Sequence, residues 1–115
     1  MSVVELVREH IAAFNAHDTS RLLAGLAPDA VWITGQDTVS GQDALGEMFD
    51  DGLWSLAPQL EPLSVLVDGD RAALQLRETI TLDGARCEFV IAVFLDFAAG
   101  LIARAKVYRE GSADL

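Results

Sequence analysis

The second half of the chain is a series of strand-like segments separated by short turns. Between Leu60 and Arg109, aliphatic, aromatic and β-branched residues are interrupted by three turn signals, Asp68-Gly69-Asp70, Asp83-Gly84 and Ala99-Gly100. Asp-Gly between two such segments is a strong signal for a two-residue hairpin. Strands joined by short turns run antiparallel, because a parallel neighbour requires a long crossover. This half therefore predicts four antiparallel strands, which restricts the fold more than any other feature.

The first half of the chain begins with two predicted helices. From Val3 to Ala16, apolar residues and His10 recur on one stripe at steps of three and four, the period of an amphipathic helix. Asp18 is a suitable N-cap for a short second helix. We expect that helix to carry Leu26 and to end at Pro28, because proline interrupts a helix.

One strand and a third helix complete the predicted elements. Ala30–Thr34 is rich in β-branched and aromatic residues and predicts a strand, followed by a polar loop from Gly35 to Gly41. Ser40 and Asp43 form a variant of the capping box, which begins a helix running toward Trp54. Helices followed by antiparallel strands indicate an α+β fold. A length of 115 residues suits one domain, residues 1–115.

Glu78 interrupts an aliphatic stripe in one of the predicted strands. Large aliphatic residues occupy alternate positions around it: Leu74, Leu76, Ile80 and Leu82. Because successive side chains in a strand point to opposite faces, Glu78 is predicted to face the interior. A carboxylate in apolar surroundings is unfavourable when ionised and tends to hold a proton, which suits a general acid or base. The alternative is a buried ion pair, with Arg109 as the candidate partner.

The charge balance argues against two classes of partner. With 18 acidic and 8 basic residues the formal net charge is -10, so phosphate backbones and anionic lipid head groups would repel the surface, and we expect neither nucleic acid nor membrane partners. No secretory signal or membrane-spanning run is visible, which predicts a cytoplasmic protein. Cys87, the only cysteine, is expected to be a buried hydrophobe. No metal or nucleotide motif is present, so we expect no metal and no cofactor.

The predicted strand Cys87–Phe97 is apolar on both faces apart from Glu88 and Asp96. Helices can cover only one face of a single sheet in this arrangement. The second face therefore needs another cover, and a second copy of the chain is the simplest source. We expect a homodimer.

Three segments carry a family resemblance: residues 6–18 (LVREHIAAFNAHD), 26–32 (LAPDAVW) and 41–45 (GQDAL). On these residues the chain resembles the NTF2-like superfamily, in its branch of ketosteroid isomerase-like and SnoaL-like proteins. The resemblance covers almost the whole chain. It implies a cone, in which a strongly bent, mostly antiparallel sheet wraps three N-terminal helices and leaves a pocket open at the wide end. The expected occupant is a small hydrophobic organic ligand.

The isomerase branch carries three catalytic side chains that this chain lacks. The resemblance places the family's tyrosine on His10 and its aspartate base on Thr34. The late aspartic acid falls on Val93, or on Ala92 if the turn before Leu101 is aligned differently. Steroid isomerisation by that mechanism is therefore not expected.

A different set of side chains occupies the expected pocket. His10 and Glu78 are the candidate catalytic pair, since an imidazole titrates near neutrality and a buried carboxylate can carry a proton. As a pair they are expected to converge within hydrogen-bond or one-water reach inside the cavity. The alternative for His10 is a core histidine satisfied by one partner. Seven residues are candidates for ligand contact, and for four of them (Trp32, Thr34, Met48 and Trp54) ordinary core packing is the alternative. The seven are Phe14, Trp32, Thr34, Met48, Trp54, Val93 and Arg109.

Two kinds of function remain open at this point. An enzyme built on these residues would catalyse proton transfer without a cofactor: isomerisation, cyclisation, dehydration or hydrolysis of a hydrophobic substrate. The same fold could instead serve as a non-catalytic ligand-binding module, or as a dimerisation domain whose cone is filled by side chains.

Overall fold

The computed structural model describes residues 1–109 and contains helices at one end of the chain and a long sheet at the other. The α-helices are α1 (Val3–Asn15), α2 (Thr19–Ala24) and α3 (Gln42–Glu47). A π-helical turn (Met48–Gly52) and a 3-10 turn (Leu53–Leu56) continue α3. The strands are β1 (Leu26–Thr34), β2 (Asp37–Ser40), β3 (Gln59–Asp68), β4 (Arg71–Leu82), β5 (Ala85–Ala98) and β6 (Leu101–Arg109).

All six strands form one sheet in the order β2-β1-β6-β5-β4-β3. Neighbouring strands run antiparallel except β1 and β6, which are parallel. The sheet curls around the helices without closing, because β2 and β3 remain separate edges. The predicted α+β class and the mostly antiparallel, cone-like sheet are confirmed.

The hairpin signals in the second half are also confirmed. Asp83 and Gly84 join β4 to β5 with φ of 50° and 80°, and Ala99 and Gly100 join β5 to β6 with φ of 52° and 79°. Two consecutive positive φ angles are the conformation that matches the twist of a two-residue hairpin. Glycine at the second position adopts this conformation without the strain of a β-carbon.

The prediction for the second helix was wrong at its end. α2 begins after the Asp18 N-cap as expected, but it stops at Ala24, and Leu26 and Pro28 already belong to β1. The Gly25 carbonyl accepts a hydrogen bond from the backbone of Ile102 on β6, which draws the chain into the sheet there. Pro28 is tolerated because the β1–β6 register shifts between Leu26 and Val31, where a bulge requires no ladder donor.

The segment predicted as a loop contains a strand. β2 turns back on β1 as a hairpin in which Thr34 pairs with Asp37 and Ile33 with Thr38. The sequence signal was weak because β2 has only four residues. The capping prediction was wrong as well, since Gly41 is the N-cap of α3 and forms no side-chain capping bond, while Ser40 ends β2.

Two side-chain amides fix the helices to the sheet. Asn15, the last residue of α1, donates from Nδ2 to the Leu60 carbonyl at 2.9 Å and accepts from the Leu60 amide at 2.7 Å. This pair of bonds holds the end of α1 against the β3 edge strand. Gln42 donates to the carbonyls of Leu23, Leu26 and Ala27 and so ties α3 to the chain reversal between α2 and β1. Together the two amides set the helices across the concave face of the sheet.

The convex face of the sheet exposes apolar side chains. Phe94 on β5 is 40% exposed and Tyr108 on β6 is 48% exposed, and their rings meet edge to face at 5.8 Å. Cys87, expected to be buried, is only partly so. It lies near the start of β5, where the neighbouring residues Ala85, Arg86 and Glu88 are exposed.

Candidate functional site

The concave face of the sheet and the helices enclose a cavity of about 340 Å³. Its walls are mainly aliphatic and aromatic, with a few polar groups. Eight of the nine side chains singled out from the sequence line it: His10, Phe14, Trp32, Thr34, Met48, Glu78, Val93 and Arg109. The alternation of β4, the stripe of α1 and the pairing of β1 with β6 bring them together.

Trp54, the ninth side chain, packs one layer behind the cavity wall. Its ring meets Phe14 edge to face at 5.2 Å and stacks on Phe49 and His17 at 5.4 Å and 4.7 Å. The indole Nε1 donates to the Thr19 hydroxyl at 2.8 Å. These contacts support Phe14 from behind, so Trp54 shapes the cavity without lining it.

His10 and Trp32 lie at one end of the cavity, which we call the inner end. The two rings are 5.9 Å apart, and Trp32 in turn meets the fully buried Phe49 edge to face at 5.4 Å. His10 Nδ1 is inaccessible to solvent and has no hydrogen-bond partner within residues 1–109. Burial lowers the pKa of His10 from 6.5 to about 4, so the imidazole is neutral near pH 7.

The opposite end of the cavity, the outer end, carries a buried ion pair. Arg109 Nη1 donates to Glu78 Oε1, and Nη2 lies 3.5 Å from Oε2, so the guanidinium faces both carboxylate oxygens. The Glu78 side chain is 4% exposed and that of Arg109 is 18% exposed. The register explains the pairing, because Arg109 lies opposite Ile91, and Ile91 lies opposite Leu76, two residues before Glu78. The ion pair anticipated from the sequence is present.

Three further polar side chains line the outer end. Thr34 ends β1, and Asp37 and Thr38 begin β2 across the hairpin. Asp37 and Thr38 are exposed, which identifies this end as the opening of the cavity. Sequence reasoning missed Asp37 and Thr38 because it assigned β2 to a loop.

The two ends are separate: no hydrogen bond joins His10 to Glu78, so the expected direct contact between them is absent, and Glu78 bonds to Arg109 instead. Trp32 shares a row of the sheet with Ala105, Leu95 and Ala72, and Glu78 lies six residues beyond Ala72 on β4. Six residues of extended strand span about 20 Å along β4, so Trp32 and Glu78 lie at different levels of the cavity. A ligand in the cavity could therefore meet a neutral hydrogen-bonding group at the inner end and a charged pair at the outer end.

Two further properties concern metals and membranes. Within residues 1–109, no three His, Cys, Asp or Glu side chains come together in a way that could hold a metal ion. No helix in the same range combines the length and the apolar character needed to cross a bilayer.

The bent sheet, the helices on its concave face and the open cavity define the NTF2-like fold. The sequence model of the SnoaL-like domain matches residues 7–105, so the chain belongs to the SnoaL-like domain family. No curated protein matches the sequence.

Solved structures share the fold at low sequence identity. An NTF2-like protein of unknown function from Burkholderia pseudomallei is 23% identical, with 96% of this chain and 92% of that chain covered and a TM-score of 0.86. TerC, crystallised with polyporic acid, is 20% identical over 93% and 90% of the two chains, with a TM-score of 0.84. A Catenulispora acidiphila protein with a ketosteroid isomerase-like fold, in complex with trimethylamine, is 15% identical over 99% and 92%, with a TM-score of 0.85. At these identities the likeness establishes the fold alone.

Proposed function

We propose that the cavity binds a small, mostly apolar organic molecule. The observation that carries the proposal is the distribution of groups around about 340 Å³ of space: apolar walls in the middle and polar groups at the two ends. Small-molecule sites have this composition, in which apolar walls supply affinity and a few polar groups orient the ligand. The crystallisation of TerC, a protein of the same fold, with polyporic acid supports this use of the cavity.

The proposed activity is proton transfer on the bound molecule without a cofactor. Isomerisation, cyclisation, dehydration and hydrolysis all need a group that gives or accepts a proton within a water-poor site. His10 and Glu78 are the proposed acid/base groups, one at each end of the cavity. Thr34 and Arg109 would orient polar parts of the substrate, and Trp32, Met48 and Val93 would form apolar walls.

A non-catalytic binding module is the second candidate, and one observation favours it. Arg109 holds the Glu78 carboxylate in an ion pair, and burial keeps His10 neutral with a pKa of about 4. A weakly basic imidazole accepts protons poorly, and a carboxylate held by a guanidinium is engaged as a binding group. A dimerisation domain with a filled cone is the least supported, because the cone contains open space.

Ligand capture by the purified chain tests the binding proposal. Native mass spectrometry after mild purification is expected to detect a retained organic compound, and incubation with that compound should convert it if the chain is an enzyme. Val93→Phe fills the middle of the cavity and should abolish binding. Val65→Phe, on the edge strand β3 and 36% exposed, is the matched control and should bind normally. Equal binding by both variants would place the ligand elsewhere.

His10→Leu and Glu78→Gln then separate enzyme from binding module. An acid/base enzyme should lose most of its turnover in at least one of these variants, by a factor of about 10²–10⁴. If the compound is bound and left unchanged by the unmodified chain, the binding module is the better description.

We further propose that two copies pack through their convex sheet faces. Phe94, Tyr108 and Leu66 form an exposed apolar area there, and Leu66 is 70% exposed. Charged side chains of both signs flank this area on the same face: Arg104 and Lys106 on β6, Asp96 opposite Arg104, and Arg86 and Glu88 near the start of β5. A second copy packed face to face would cover these apolar side chains.

Sedimentation velocity tests this arrangement. The chain is expected to sediment as a dimer, and Phe94→Glu should convert it to a monomer because a charge would be placed inside an apolar interface. Val4→Glu, on α1 and 37% exposed, is the control and should remain dimeric. A monomer at all concentrations, or a dimeric Phe94→Glu variant, would contradict the proposal.

A further inference from the structure

We propose that the cavity takes up an organic anion together with one proton, which Glu78 accepts when the anion binds Arg109. The inference rests on the proposed ligand-binding function and adds the class of ligand. That class is a mostly apolar molecule with one carboxylate or a comparably acidic hydroxyl group.

The ion pair at the outer end is placed to meet such an anion. Arg109 is the one arginine or lysine among the lining residues that the structure describes. Its side chain is 18% exposed, compared with 4% for Glu78, so more of the arginine than of the glutamate is open to an incoming group. A guanidinium carries five N–H donors, so it can bind a second carboxylate beside the first or exchange one for the other.

The charge count then requires a proton. Glu78 and a bound carboxylate would share a single guanidinium, which leaves a net negative charge against apolar walls that include Leu76 and Ile91. Two carboxylates that share a buried site do not both remain ionised, because each opposes the charge of the other. Whether the ligand displaces Glu78 or binds next to it, one proton therefore enters the site.

Among the titratable side chains of the cavity wall, Glu78 is the one that we expect to accept this proton. The other titratable side chains that face the cavity are His10 from α1 and Asp37 from β2, while β3 and β5 contribute apolar residues there. Asp37 is exposed, so it does not share a buried site with the bound anion. His10 lies at the inner end, and burial disfavours its charged form. Among these three side chains, Glu78 alone is both almost completely buried and paired with Arg109, the residue that the ligand would bind.

Calorimetry with a matched pair of probes tests the inference. 2-Naphthoate carries the carboxylate, and 2-naphthamide has nearly the same shape without a charge. Titrations at pH 7 in phosphate and in Tris, which differ in ionisation enthalpy, count the protons exchanged. We expect about one proton to be taken up per bound naphthoate and none per naphthamide, and the affinity for naphthoate to fall about tenfold per pH unit above pH 7.

Variants identify the proton acceptor. Glu78→Gln should bind naphthoate without proton uptake and without the pH dependence, whereas Glu47→Gln, which changes an exposed carboxylate on α3 outside the cavity, should retain both. Proton uptake that persists in Glu78→Gln, or naphthoate binding with no proton exchanged, would overturn the inference. If naphthamide binds and naphthoate does not, the inference fails while the binding function stands. If neither binds, both fail.

Discussion

The two ends of the cavity keep a titratable side chain away from water in opposite ways. At the inner end, His10 has no hydrogen-bond partner for Nδ1 within residues 1–109, and burial keeps the ring neutral. At the outer end, Glu78 is just as well buried but pairs with Arg109. A buried ionisable group without a partner takes its neutral form. A buried ion pair keeps both charges, but removing one partner strongly destabilises the fold. The inner end is therefore sensitive to pH, and the outer end to the loss or capture of one side chain.

The largest effect is expected from breaking the outer pair. Arg109→Met leaves Glu78 buried without a cation and should lower the free energy of unfolding by about 3–5 kcal/mol at pH 7. Urea denaturation monitored by circular dichroism measures it. Arg77→Met is the matched control, because Arg77 pairs with Glu61 on the same sheet but is 41% exposed, and it should change stability by less than about 1 kcal/mol. Equal losses in the two variants would contradict the contrast between buried and exposed pairs.

His10 at the inner end should make the stability of the fold depend on pH. Because the pKa of His10 is about 4 in the folded chain and 6.5 is its usual value, the unfolded chain binds a proton first as the pH falls. Stability should therefore decline from pH 6.5 to pH 4, by about 3 kcal/mol in total. Urea midpoints at several pH values measure the decline.

His10→Leu should remove the part of this decline that is due to His10, so comparison with the original chain measures that part. The variant should be at least as stable as the original chain at pH 7, since the unpartnered Nδ1 is gone. His17→Gln, which changes the second of the two histidines, should keep the decline. A decline that survives in His10→Leu would assign it to other groups.

The smallest effect is expected from a hydroxyl group at the outer end. Thr34→Val keeps the shape of the side chain and should change the free energy of unfolding by less than about 0.5 kcal/mol. Affinity for 2-naphthoate should fall by a factor of about three to ten, because one hydrogen bond near the carboxylate is lost. Calorimetry measures the change, and unchanged affinity would mean that the anion does not reach the outer end.

Much of this architecture could be predicted from the sequence because it depends on local periodicity. The alternation around Glu78 placed its side chain inside, and the alternation toward Arg109 placed that residue on the same face. The pairing of the two required only that β4, β5 and β6 be neighbours, which their short turns dictate.

The parts that could not be predicted depend on contacts between distant segments. β2 has four residues, too few for a periodic pattern, so the contribution of Asp37 and Thr38 to the cavity opening was invisible. α2 ends early because Gly25 bonds to Ile102, which is 77 residues later in the chain. The isolation of His10 Nδ1 is likewise a result of three-dimensional packing, since periodicity places a side chain on a face without specifying what its atoms touch.

A crystal structure of the complex with 2-naphthoate tests the central claim most directly. The account predicts the naphthalene ring between Trp32 and Val93, with the carboxylate on Arg109, either in place of the Glu78 carboxyl or beside it. A naphthoate bound outside the cavity, with the bidentate pair of Glu78 and Arg109 unchanged, would contradict it.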